Sequence, residues 1–207
     1  MKLVRHSSIH VCGIALEALL LIITPRSNLS IKLLPILQGK AIVPPSLVGL
    51  TLQDDCDVDY NEFERFREHL LTEVLTACYK SNRAYYIDSC TCAIEEFCSP
   101  TFKPNPQTAY QLEAALFCLS AVSLDASKRA LLLGKSPSVQ EAAAKACKSQ
   151  SQESIEAKDI PEDSKKHDEK LSRTILVLRN APQIAVSNPL FLVQMCRFIG
   201  KVSTENF

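Results

Sequence analysis

Gln111-Leu112-Glu113-Ala114-Ala115-Leu116-Phe117-Cys118-Leu119-Ser120-Ala121-Val122-Ser123 decides the fold. Laid on a helix, its apolar residues point in nearly every direction, with one acid, Glu113, on the flank. A helix that is apolar on several faces must be sandwiched between neighbours rather than laid on one surface. The stretch therefore predicts stacked layers of helices and a chain that works as a binding surface.

Composition agrees with that reading. Five Gly are too few for a fold rich in tight hairpins, which need residues tolerant of positive φ. Eleven Pro fall between apolar segments, where helices stop. Lys plus Arg equals Asp plus Glu at 23 each, so no global field draws nucleic acid or a membrane surface. The local balance is less even. Between Thr51 and Leu75 the acids outnumber Arg65 and Arg67 heavily, and Asp54, Asp55, Asp57, Asp59 and Glu62 form a weak candidate surface for basic protein cargo. Helix capping and solubility explain the same acids more simply.

The helices follow from apolar periodicity and its punctuation. A first runs from about Val4 to Ile23, with Ile14, Leu16, Ala18, Leu20, Leu21 and Ile23 inside and Glu17 at the edge. That acid, the polar flank around His6 and the short apolar run argue against a secretory leader or a membrane span. Ser27 can cap a second helix, Asn28 to Gln38, which Pro35 bends or shortens. The third starts at Asp57 or Asp59 and carries the stripe Phe63, Phe66, Leu70, Val74, Cys78, widened by Leu71 and Leu75. After the turn at Lys80 to Arg83, a fourth presents Ile87, Cys90, Ile94 and Phe97. Pro-rich punctuation then opens a fifth, Gln107 to about Leu124, and Asn188-Pro189 begins the last.

Helix pairs recurring about every forty residues predict an all-α chain, a solenoid of HEAT- or armadillo-like repeats. Residues 1–142 form helical repeats, 143–170 a flexible polar insertion, and 171–207 a further, truncated repeat.

Catalytic and metal motifs do not emerge. Gly134-Lys135-Ser136 ends like a phosphate loop, yet Arg129 stands where that loop needs its first Gly. Asp57 to Glu68 has the length of a calcium loop but Glu62 at its glycine position. The nine Cys and four His show no zinc spacing, and most thiols sit at helical intervals among Leu, Ile and Phe as small hydrophobes. His69 has no evident Cys or Ser partner. The expectation is no enzyme, no cofactor and no metal, with Tyr85-Tyr86 packing on a neighbouring helix.

Three segments look familiar together: Ile14-Ala15-Leu16-Glu17-Ala18-Leu19 with Leu33-Leu34-Pro35-Ile36-Leu37; Glu113 to Val122; and Pro189-Leu190-Phe191-Leu192-Val193-Gln194-Met195-Cys196-Arg197-Phe198-Ile199-Gly200-Lys201. They resemble the importin-β superfamily of nuclear transport receptors, in particular the transportin-SR and importin-thirteen branch. The resemblance covers most of the chain. It implies a HEAT-repeat superhelix that binds protein cargo, the small GTPase Ran and nucleoporins, and moves between nucleus and cytoplasm, with no nucleic-acid or membrane partner. Family members are several times longer and their amino-terminal Ran-binding repeats have no counterpart here, so the chain reads as an internal fragment. Val202 stands where the family carries an aromatic, and no functional residue carries over by position. The other reading is an α-solenoid scaffold unrelated to transport.

Overall fold

The structure, a computed structural model, describes residues 2–6, 8–23, 28–44, 47, 57–133, 170 and 173–203. Of 57–59, 124–133 and 202–203 it describes the backbone course alone. The polar stretch 143–170 lies outside these residues, apart from Lys170.

Among the described residues every regular element is helical. A 3₁₀ turn at Leu3–Arg5 leads into α1 (Ile9–Leu20), followed by α2 (Leu29–Ala41). Helix α3 (Asp57–Arg65) passes through a π-helical segment, Phe66–Leu71, into α4 (Thr72–Ser81). Next come α5 (Arg83–Phe97) and the long α6 (Thr108–Leu133). Residues 173–177 and a 3₁₀ turn at Leu178–Asn180 precede α7 (Gln183–Val186) and α8 (Pro189–Ser203).

Helix starts follow the cap chemistry. Asn82 Oδ1 accepts from Tyr85 N at 3.2 Å to open α5, and Asn188 Oδ1 accepts from Phe191 N at 3.2 Å to open α8. Pro189 then fills the first helical position, where a missing N–H costs nothing. Helix α2 runs on past Pro35, to Ala41 rather than Gln38. Proline lacks the N–H that would bond the carbonyl of Ile31. Tyr85 Oη from α5 donates to that carbonyl at 3.4 Å, so a neighbouring helix supplies the bond that proline removes.

Helix α6 is the hub. It touches α2, α4, α5, α7 and α8, most extensively α8. Leu112, Leu116, Leu119 and Val122 are fully buried, as the opening stretch requires. Phe191 and Phe198 of α8 share one apolar core with Leu16 of α1 and Leu33 and Leu37 of α2. The residues after 171 therefore complete the core of those before 142. Farther out, α1 touches α4 and the π segment, α2 touches α4 and α5, and α4 touches α5.

Two expectations about packing need correcting. In α1 the buried residues are Cys12, Gly13 and Leu16, while Ile14, Ala18 and Leu21 face outward. The second concerns the third helix. A π turn takes about one more residue than an α turn, so the buried stripe runs Phe63, Phe66, Arg67, Leu71, Val74, Leu75, Cys78. Leu70 is displaced to the edge, against Gly13, where an added Cβ would stand 3.4 Å from Leu70 Cδ2.

Candidate functional site

The π segment sets the most polar feature of the interior. It turns Arg67 inward, and the guanidinium is 3% exposed. Arg67 Nη2 donates to Glu113 Oε1 at 2.7 Å, and Glu113 is itself 4% exposed. Glu64 Oε1 stands 3.5 Å from Nη1. The Phe117 ring lies 4.2 Å from the guanidinium carbon and that of Phe63 at 5.5 Å, so the cation is sandwiched by π faces. Thr72 Oγ1 donates to the Arg67 carbonyl at 2.9 Å, which also accepts from Thr72 N.

The pair is incompletely satisfied. Neither Arg67 Nε nor Glu113 Oε2 has a hydrogen-bond partner among the described residues. Burial pushes the Glu113 carboxyl above the usual carboxylate range, and Arg67 pulls back only part of that shift. Sealed among phenylalanines, the pair has no access to a substrate. It ties α3, the π segment and α6 into one register.

A second polar contact fastens α8. Gln194 Nε2 donates to Ser120 Oγ at 3.0 Å in a buried setting, and Lys201 Nζ donates to the Ser120 carbonyl at 3.0 Å. Arg197 lies 3.7 Å from Glu68. Burial lowers the Lys201 ammonium pKa, and the nearby Arg197 charge lowers it further.

The sequence-derived cargo surface is only partly visible. Asp54 and Asp55 lie outside the described residues, and Asp57 and Asp59 stand in the first turn of α3 with their side chains undescribed. Glu62 is half-buried and its carboxylate meets His10 Nε2 at 3.0 Å. Glu64 and Glu68 are likewise drawn to Arg67 and Arg197. The acid run thus holds α1, α3 and α8 together as well as facing solvent. Reasoning from sequence missed this network, although an arginine amid phenylalanines and an acid on an apolar helix were both signals. Forty-six residues separate Arg67 from Glu113, and pattern alone could not pair them.

Other chemistry is sparse. The thiols of Cys12, Cys78, Cys90, Cys98 and Cys118 are buried, and those of Cys92 and Cys196 exposed. Burial pushes Cys78 and Cys90 up to about 12 and Cys98 to about 11, which removes thiolate reactivity at neutral pH. Tyr86 donates its hydroxyl to the Cys118 carbonyl at 2.7 Å, and Tyr85 and Tyr86 both pack inward on neighbouring helices. Among the described residues no three metal-ligating side chains converge, and no helix is long and apolar enough to cross a membrane. A groove of about 180 Å³ lies between α2, α5 and α6, floored by Gly39, Ala93 and Ala114 with Gln38 and Gln111 at its rim. A wider cleft of about 600 Å³ separates Pro100, Phe102 and Pro104 from Pro182. Neither is lined by a charged side chain.

Comparison with protein-family models, with characterised proteins and with solved structures gives no match to this chain.

Proposed function

We propose that the chain is a protein-binding helical module of the nuclear transport receptor kind, an α-solenoid fragment of HEAT-like repeats that takes protein cargo on its helix faces. The supporting observation is the order of contacts. Contacts run between alternate helices, α1 with α4, α4 with α6 and α2 with α5, alongside contacts of α2 with α4 and α6. Such contacts between alternate helices are what stacked helix pairs produce. Helices α1, α2, α6 and α8 are also those that carry the importin-β resemblance. On this reading Phe-Gly repeats of pore proteins and GTP-loaded Ran are partners, and the protein works in both nucleus and cytoplasm. Asp54, Asp55, Asp57, Asp59 and Glu62 then meet basic cargo through complementary charge.

The test is retention of the purified chain on immobilised Phe-Gly repeats, together with capture of a basic cargo peptide. Retention on the repeats is expected, with peptide capture weakened by salt and by Asp→Asn substitution at positions 54, 55, 57 and 59. A chain that folds yet passes through the repeats unretained refutes the transport reading. One observation favours a helical scaffold outside transport: Glu62, Glu64 and Glu68 are committed to internal partners. Peptide capture unchanged by the four substitutions would support that reading.

A further inference from the structure

Helix α1 is apolar on two opposite faces. One face, Cys12, Gly13 and Leu16, is buried against the body of the protein. The other, continued by the turn that closes the helix, where Ile23 N still donates to the Leu19 carbonyl at 2.9 Å, holds Ile14, Leu21 and Ile22, which are 70%, 88% and 60% exposed, with Ala18 exposed among them. At 3.6 residues per turn these four side chains fall within an arc of about 100°, the width of a helix stripe that normally meets a partner. Together they present on the order of 400 Å² of contiguous apolar surface, as much as the largest patch of many monomers. His10 and Glu17 border one side of it, and the contact between His10 and Glu62 closes that rim. The physics that places α6 between neighbours applies equally here, and among the described residues α1 has helix neighbours on its buried side.

The stripe has an internal symmetry. Ala18 has an isoleucine four residues before it, Ile14, and another four residues after it, Ile22. An interface between identical subunits related by a twofold axis must be self-complementary, and an antiparallel helix pair crossing at Ala18 meets that condition. The small alanines let the backbones approach, and Ile14 of each copy meets Ile22 of the other. Two such stripes at about 60% apolar share correspond to a total interface of roughly 1,300 Å², inside the range of specific, stable association. We propose that a second copy of this chain docks on the outer face of α1 and forms a twofold dimer with Ala18 at the axis. This is independent of the transport reading.

Light scattering coupled to gel filtration, at loadings up to about 100 µM, tests the proposal. The unaltered chain should give twice the monomer mass, and Ile22→Glu or Ile14→Glu should give the monomer with an unchanged helical circular dichroism spectrum. Both positions are solvent-facing, so the folded body tolerates the charge. Ala18→Cys in a Cys56→Ser, Cys92→Ser, Cys147→Ser, Cys196→Ser background should form a disulfide-linked dimer under mild oxidation that the parent background does not form. A monomer across the loading range overturns the proposal. So does a dimer dissolved by Val193→Glu on α8 rather than by Ile22→Glu, or adsorption of a monomeric chain to phosphatidylcholine vesicles through the same isoleucines.

Discussion

Replacing Glu113 with leucine tests the energetic logic of the interior most directly. Leucine keeps the volume and removes the charge, so no cavity opens and the effect falls on Arg67. That guanidinium is 3% exposed and cannot shed its proton. Breaking a buried pair by deleting one partner costs about 3–5 kcal/mol. Here Glu64 at 3.5 Å and the ring of Phe117 at 4.2 Å still face the cation, which places the loss at the low end, about 3 kcal/mol. With a urea slope of about 2 kcal/mol per molar, the midpoint should fall by roughly 1.5 M. The chain has five Tyr and no Trp, so circular dichroism and tyrosine fluorescence are the probes. Arg67→Met should cost less, because the stranded Glu113 can protonate. The double substitution Arg67→Met, Glu113→Leu should return to within about 1 kcal/mol of the parent, since well-packed apolar groups commonly replace such pairs without loss. A loss below about 1 kcal/mol for Glu113→Leu, or a double variant equal to the sum of the singles, would refute the reasoning.

The same residue fixes a pH dependence. Glu113 holds its proton more tightly folded than unfolded. Its contribution is thus fully present below the unfolded value near 4.3 and is lost as pH rises through the folded value. The stability of the parent relative to Glu113→Gln should fall by urea titration as pH rises above about 4.3, and a rise would contradict the upward shift. Gly39→Ala should stabilise by about 0.5–1 kcal/mol in thermal melts, because the site is helical and nothing lies within 4 Å of the added Cβ. Tyr85→Phe strands the Ile31 carbonyl above Pro35 and should cost about 1 kcal/mol in the same melts. Iodoacetamide labelling read by mass spectrometry should reach Cys92 and Cys196 well before Cys12, Cys78, Cys90, Cys98 and Cys118.

What was legible in the sequence divides along the range of the physics involved. Local rules were readable: the turn at Lys80 to Arg83, the helix start at Asn188-Pro189, the apolar faces of α5 and α6, and the absence of strands among the described residues all follow from side chains within a turn or two of one another. Non-local corrections were not. A helix whose sequence repeats smoothly through Phe66 and Leu70 gives no local reason to insert a π turn. Its counterpart lies in α6, where Glu113 and Phe117 meet the Arg67 that the π segment turns inward. Once Arg67 turns inward, Leu71 replaces Leu70 in the core and Leu70 slides to the one spot on α1 with no side chain, Gly13. The misjudged faces of α1 have a similar origin. Its two apolar stripes are equivalent by pattern, and only the presence of α4 and the π segment beside one of them decides which is buried. Pattern gives α1 two apolar faces, and among the described residues the fold covers one of them. The acid run taught a related lesson. Glu62 and Glu68 read as a surface field because their partners, His10 and Arg197, come from α1 and α8, while Glu64 meets Arg67 three residues along its own run. Once those partners are counted, the charge left to attract a basic cargo rests on the four aspartates that precede Glu62 and on the exposed Glu73.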